Sequence, residues 1–176
     1  MKHDIIISEG DLTLSPLGVE HVDETYVNWL NDPMVIDGTE TPAILHTKDS
    51  ITDYVEKTEM SADAMIWRIL VGQAHVGNIR LSAISEIHKR ASMALIIGCR
   101  ERWGKGIASG AISLLAAYAL NELGLHKVYA GMYASNPASR KAFEKAGFHK
   151  EAELQDHVLE NGKFVHVWQL ARFSTT

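Results

Sequence analysis

Cysteine is nearly absent from this chain of 176 residues. Its one thiol, Cys99, has no partner for an internal disulfide, which is the usage expected of a reducing compartment. Long apolar runs are missing too. The most apolar stretch, 111–120, is about half of what a bilayer-spanning helix needs. The N-terminal MKHDIIISEGD lacks the charged segment and extended apolar run of a secretory signal, so a cytoplasmic protein with no membrane partner is expected. Basic charge is scarce, with 17 Lys and Arg against 22 Asp and Glu, a net charge of −5. No dense Lys/Arg cluster offers a footprint for nucleic acid, which excludes that class as the expected partner. The nine histidines include no His-Glu-x-x-His, and there is no cysteine pair, so no built-in metal site is expected. Only four prolines occur, and no Pro/Gly/Ser-rich linker, repeat or low-complexity tract divides the chain. A single domain over residues 1–176 follows, long enough to bury a full core.

What is present is an interleaved series of strand and helix patterns. Leu12 and Leu14 alternate with polar residues and read as a short strand. Val22, Tyr26, Trp29 and Leu30 recur at helical spacing, which predicts a helix over Val19–Leu30 ended by Asn31-Asp32-Pro33. Thr47–Glu59 reads as a second helix capped by Thr47. Met65–Val71 and His75–Leu81 read as strands joined through Gly72, and Ser92–Ile97 as a strand buried on both faces. A helix runs to about Leu123, where Gly124-Leu125 suits a left-handed cap. Lys127–Tyr133 reads as a strand. Asn136–Ala146 reads as a helix with an Asn cap, Pro137 at its first position and Gly147 at its exit. Asn161-Gly162 marks a closing hairpin. The fold class that follows is α/β, a mixed sheet with helices on both faces.

One stretch carries chemistry. Between the strand at Ser92–Ile97 and the next helix lies Trp103-Gly-Lys-Gly-Ile-Ala108. Helix N-termini carry unpaired N–H donors and a partial positive charge, and glycines let an anion approach them. The turn lacks the Gly-Lys-Ser/Thr ending of a P-loop and the third glycine of a dinucleotide fold. On its own it is equally well an ordinary helix entry.

The segment ALIIGCRERWGKGIASGAISLLAAYAL, followed by LHKVYAGMYASNPASRKAFEKAGF, resembles the acetyl-coenzyme A region of the GNAT N-acetyltransferase superfamily. Gly106 and Ala108 match the last two fixed positions of the family turn, Arg/Gln-x-x-Gly-x-Gly/Ala. Trp103 stands where Arg or Gln is commonest, as in the branch similar to ribosomal-protein N-terminal acetyltransferases. Asn136, Ser139 and Phe143, followed by Lys145-x-Gly-Phe148, keep the spacing of the second family block. The resemblance is closest over 90–150 and looser over 11–173. It implies a mostly antiparallel central sheet split by a bulge, with helices on both faces. Acetyl-CoA is the implied donor. Amides of Gly104, Lys105, Gly106, Ile107, Ala108 and Ser109 would hold its pyrophosphate beside Trp103. Ile97 and Gly98 would flank the strand split that admits the pantetheine arm, with Asn136, Ser139 and Phe143 on its other side. Asn136 is equally a helix cap.

Transfer from a thioester to an amine builds charge on oxygen, which a pre-aimed N–H stabilises. The amine, with a pKa near ~10, must lose a proton, and a thiol of pKa about 8.5 leaves readily. Many family members have a tyrosine general acid where this chain has Phe143, which cannot donate. Ser139, Tyr133 or water must then serve, or the reaction does without a general acid. His75, in HVGNIRL, is the first candidate base because of its near-neutral pKa, beside the plainer reading of a packed strand histidine. Glu101 and His88 are weaker candidates. Cys99 is either a covalent nucleophile or a small buried side chain.

For the acceptor, Trp29-Leu-Asn-Asp-Pro33 and VGNIRL resemble both the ribosomal-protein branch and relatives acting on nucleotide-linked amino sugars. A small amine such as an amino sugar is preferred over a protein N-terminus. Trp29 and Trp67 read as core, or as the floor of a pocket. A non-catalytic acetyl-CoA-binding module and an ATP-binding use of the same turn remain open. A homodimer is conceivable through an exposed strand such as the final one.

Overall fold

The computed structural model describes residues 4–41 and 44–175. Eight strands form one sheet: β1 (Ile7–Glu9), β2 (Leu12–Pro16), β3 (Met65–Val71), β4 (Ala74–Ser85), β5 (Arg90–Ile97), β6 (Lys127–Tyr133), β7 (His149–Glu160) and β8 (Lys163–Phe173). Their order is β1-β2-β3-β4-β5-β6-β8-β7. Every pair is antiparallel except β5 with β6. The helices are α1 (Glu24–Asn31), α2 (Pro33–Ile36), α3 (Lys48–Glu59), α4 (Ile107–Asn121) and α5 (Pro137–Lys145).

Two apolar clusters lie on opposite faces of the sheet. Ala111, Ile112, Leu115 and Ala119 of α4 pack on Leu14, Trp67, Ile79, Met93 and Val128. On the other face Tyr26 and Trp29 of α1 and Ile51 and Val55 of α3 pack with Leu17 and Ile66. Both tryptophans that were candidates for a pocket floor are therefore core. Trp67 donates from Nε1 to the Ile5 carbonyl at 2.9 Å.

Local chemistry sets the helix limits. Thr47 and Ser50 cap each other reciprocally at the start of α3, as the sequence predicts. The helix expected over Val19–Leu30 is instead a short 3-10 turn, Val19–His21, followed by α1. Asp23 is the reason: its carboxylate accepts the Tyr26 N–H at 2.9 Å, which restarts the helix after extended Val22. Asp32 caps α2 in the same way, with Pro33 in its first turn. At the end of α4, Gly124 takes φ +64° and Leu125 N–H reaches back to the Ala119 carbonyl. Asn161 and Gly162 both take positive φ, 49° and 78°, which matches the twist of the β7–β8 hairpin.

Two expectations change. The final strand is not an exposed edge. β8 lies between β6 and β7, because the hairpin folds it back beside β6, and β1 and β7 are the outer strands. Nor is β5 buried on both faces: Ala91 and Met93 are buried, Ala94 is exposed, and Leu95, Ile96 and Ile97 are half-buried. The cause is a separation of strands. β5 pairs with β6 only at Arg90–Lys127, Ala91–Val128 and Ser92–Tyr129. At the same level the β4–β5 register shifts between Ser82 and Ser85, with Ala83 at φ 49°. Beyond Ser92 the two strands diverge.

Gly98, just past β5, fixes how closely α1 approaches. A Cβ there would lie 1.9 Å from Trp29 Cδ2. Gly98→Ala is expected to destabilise the protein by about 3 kcal/mol, the upper part of the usual range for overpacking. Gly131→Ala, whose Cβ would meet only Val167 Cγ1 at 3.4 Å, should cost under about 1 kcal/mol. Urea unfolding midpoints of the two variants check this.

Candidate active site

The divergence of β5 from β6 opens a cleft of about 1450 Å³. It runs from the turn before α4, through the gap between the strands, to the face covered by α1, α2 and α3. Each of its ends has a distinct chemistry.

At the first end, Gly104 and Gly106 take φ +73° and +79°, a region that L side chains rarely enter. Gly106 is the N-cap residue of α4 and offers no side-chain cap. Among the described residues, no amide from Gly104 to Ser109 donates to another protein group. These donors stay available at the positive end of a helix of 15 residues. Ser109 spends its hydroxyl on the Gly106 carbonyl at 2.9 Å. A Cβ on Gly104 would meet nothing within 4 Å, and one on Gly106 would lie 3.9 Å from Lys145 Nζ. The turn is thus open above its amides with an ammonium beside it. Lys141 and Lys145, one helical turn apart on α5, both line the cleft, as does Arg102. Open amides, a helix terminus and these cations fit a diphosphate.

In the gap, β5 presents Met93–Ile97 along an edge that no strand covers. Trp103 Nε1 donates to the Ile97 carbonyl at 2.7 Å, so the indole is tied to the end of β5. Opposite, Asn136 caps α5: its Oδ1 accepts Ser139 N–H at 3.0 Å, and its Nδ2 reaches the Gly38 carbonyl at 3.4 Å. The Ser139 side chain lines the cleft. Phe143 contributes from the core, 2% exposed and edge-on to Phe148 with centroids 5.1 Å apart. Tyr133 lines the cleft together with Glu40 and Glu160; burial and then these two carboxylates raise its pKa, so it keeps its proton.

The cleft brings together Ile97, Trp103, Gly104, Gly106, Ile107, Ala108, Ser109, Tyr133, Asn136, Ser139 and Phe143. It leaves out His75, Gly98 and Lys105. Gly98 is occupied by its contact with Trp29. His75 packs edge-on against Trp29 with centroids 5.0 Å apart. Its Nε2 lies 3.1 Å from the Gly77 carbonyl and 2.8 Å from Asn78 Oδ1. Two acceptors at one nitrogen require that nitrogen to carry the proton. Nε2 is therefore a donor, the lone pair of the neutral ring lies on Nδ1, and burial lowers the pKa of the ring. Glu101 and His88 also lie outside the cleft. The Cys99 thiol donates to Glu101 at 3.3 Å, and burial followed by that carboxylate raises its pKa, which keeps it from the thiolate form.

Sequence reasoning missed the second end. Tyr26, Tyr54, Asn78 and Arg80 line it, from α1, α3 and β4. Asn78 and Arg80 are two residues apart on a strand and so share a face. That alternation in HVGNIRL was the available signal.

The sequence profile of the acetyltransferase (GNAT) domain matches residues 11–149. An uncharacterised N-acetyltransferase of Bacillus subtilis, YoaA, is 34% identical over 87 residues, 49% of this chain and 49% of the relative. The aligned segment thus spans about half the length of that curated relative. Among solved structures, RimL, the ribosomal L7/L12 alpha-N-protein acetyltransferase in complex with coenzyme A, superposes with a TM-score of 0.88 at 18% identity, covering 97% of this chain and 98% of that one. The spermidine N-acetyltransferase of Vibrio cholerae, in complex with CoA and spermine, gives 0.86 at 23% identity, covering 95% and 98%. At these identities the structures show a shared fold. With the profile match over most of its length, the chain belongs to the GNAT acetyltransferase family.

Proposed function

We propose that the protein transfers an acetyl group from acetyl-CoA to a primary amine by direct attack in a ternary complex, with a small amine such as an amino sugar as the acceptor. One observation carries this reading. The gap between β5 and β6 joins the uncapped start of α4 to a separate polar chamber, so donor and acceptor can occupy one cleft from opposite ends. GNAT acetyltransferases use acetyl-CoA. Two relatives by fold have coenzyme A in their structures, one with spermine and one named for a protein N-terminus.

Acetyl-CoA, when bound, supplies an activated acyl group. Gly104–Ser109 amides with Lys141 and Lys145 hold its diphosphate. The uncovered edge of β5 offers backbone groups to an extended arm, much as a sheet edge accepts a peptide. Tyr133 holds its proton up to alkaline pH and is the group placed to give it to the leaving sulfur, with the Ser139 hydroxyl beside the arm. Glu40 and Glu160, which line the same cleft, draw the ammonium form of an acceptor to this mouth, where it gives up its proton to water before it attacks. Fixing both reactants removes an entropic barrier of up to several kcal/mol, roughly 7–11 in ideal cases. His75 is not assigned as the base in this reading, because it does not line the cleft.

Thiol release measured across amino-sugar nucleotides, polyamines and N-terminal peptides tests the reading; coenzyme A binding without release on any amine would overturn it. Gly106→Val is expected to weaken coenzyme A affinity by at least tenfold in calorimetry, because the side chain disfavours positive φ and covers the amides. Tyr133→Phe should lower kcat about a hundredfold, the low end for general acid catalysis, with little change in coenzyme A affinity. His75→Gln should leave the limbs of the pH–rate profile where they are. A lost limb would restore the histidine as the base.

A further inference from the structure

The chamber floor is rich in donors and poor in acceptors. Arg80 Nη1 donates to the Tyr54 hydroxyl at 3.0 Å, and this is its one hydrogen bond among the described residues. A guanidinium carries five N–H donors, and no described carboxylate lies within ion-pair distance of this one. Asn78 is 4% exposed, and its Nδ2 has no hydrogen-bond partner. Its orientation is fixed from behind: His75 Nε2, which must be protonated, donates to Asn78 Oδ1 at 2.8 Å. That turns the amide N–H₂ away from His75. Tyr26, which lines the same chamber, interacts with this amide side chain, and burial keeps its hydroxyl protonated far into the alkaline range. Leaving a buried donor unmet costs about 1–3 kcal/mol, so such a group is unusual unless something supplies the acceptor.

Register places this cluster relative to the expected thioester. Asn78 pairs with Ile96 and Arg80 with Ala94, so the donors begin one residue from Ile97 and end about 10 Å from it along β5. The ammonium-attracting carboxylates, Glu40 and Glu160, line the cleft with Tyr133 of β6 and raise the pKa of its hydroxyl.

Resting on the transferase reading above, we infer that the acceptor is a small primary amine that also carries an anionic oxygen group, a carboxylate or a phosphate, and that Arg80 and Asn78 bind that group. Arg80 supplies a planar, charged fork suited to either anion. Asn78 adds the amide donor, and His75 is a positioning residue that acts through Asn78. A polyamine has no oxygen to meet these donors and would bring its second ammonium towards Arg80.

The test compares matched acceptors by kcat/KM. Glucosamine 6-phosphate against glucosamine reads the phosphate source, an amino acid against its amide reads the carboxylate source, and spermidine reads the opposite charge. In the wild-type protein at least one anionic member should exceed its neutral partner by tenfold or more, and spermidine should be poorer than either. Arg80→Gln should collapse that ratio towards one through KM, with the fold checked by circular dichroism. Arg80→Lys, which keeps the charge but not the fork, should retain part of it. Equal rates within both pairs, a preference for spermidine, or a ratio that survives Arg80→Gln would overturn this inference and leave the transferase reading standing. No thiol release with any amine would overturn both.

Discussion

The molecule is organised by a hydrogen-bond ladder that stops. β5 and β6 are parallel neighbours for three residue pairs and then part. Each keeps a full ladder on its other side, β5 with β4 and β6 with β8, so the separation costs no stability in those pairings. What it leaves is two facing strand edges whose amides and carbonyls still need partners. A sheet edge of this kind is normally covered or blunted. Here one carbonyl, that of Ile97, is met by the Trp103 indole, and the rest of the edge opens on the cleft. The gap leaves that edge as one wall of the cleft.

Keeping the gap open requires rigid walls, and the packing supplies them by close approach. On one face, α1 is pressed against the end of β5 because Gly98 has no side chain to hold Trp29 away. Trp29 in turn holds the His75 ring, and His75 holds Asn78. A packing contact is thereby converted, through one aromatic edge and one hydrogen bond, into the orientation of a polar group at the cleft floor. On the other face, Leu12 lies so near Gly110 that a Cβ there would approach its Cδ2 to 2.8 Å, which seats the first turn of α4 against β2. The amides of that turn are aimed by the same contact.

Much of this was legible in the sequence, for identifiable reasons. Thr47, Asn136, Gly124 and Asn161-Gly162 announce their elements because their signals are local: a cap or a turn needs only its own few residues. The Gly104–Ser109 turn was legible for the same reason. The sequence misled where tertiary context decides. Ser92–Ile97 is apolar enough to be a doubly buried strand, but half of it faces a cleft whose existence depends on β6 being elsewhere. The break before α1 was written in Asp23, yet the apolar spacing of Val22, Tyr26 and Trp29 outweighed it. His75 suggested a base from residue type alone, whereas its place outside the cleft and the Gly77 carbonyl and Asn78 Oδ1 that fix its tautomer are visible only in three dimensions. Arg80 and Asn78 carried no motif, only an alternation on one strand.

The turn itself shows why its motif tolerates substitution at some positions and not at others. Backbone amides, not side chains, face the open space above Gly104 and Gly106, so what the turn must conserve is a pair of positive φ angles and an uncapped helix start. Lys105 is not among the residues that line the cleft, and Ser109 turns its hydroxyl back to Gly106. Trp103 sits where a guanidinium or amide is commoner in similar proteins. Those groups share one property with an indole: an N–H that can reach a carbonyl. Here it reaches Ile97 and ties the turn to the strand end. A donor-free side chain at this position would lose the hydrogen bond that ties the turn to the end of β5.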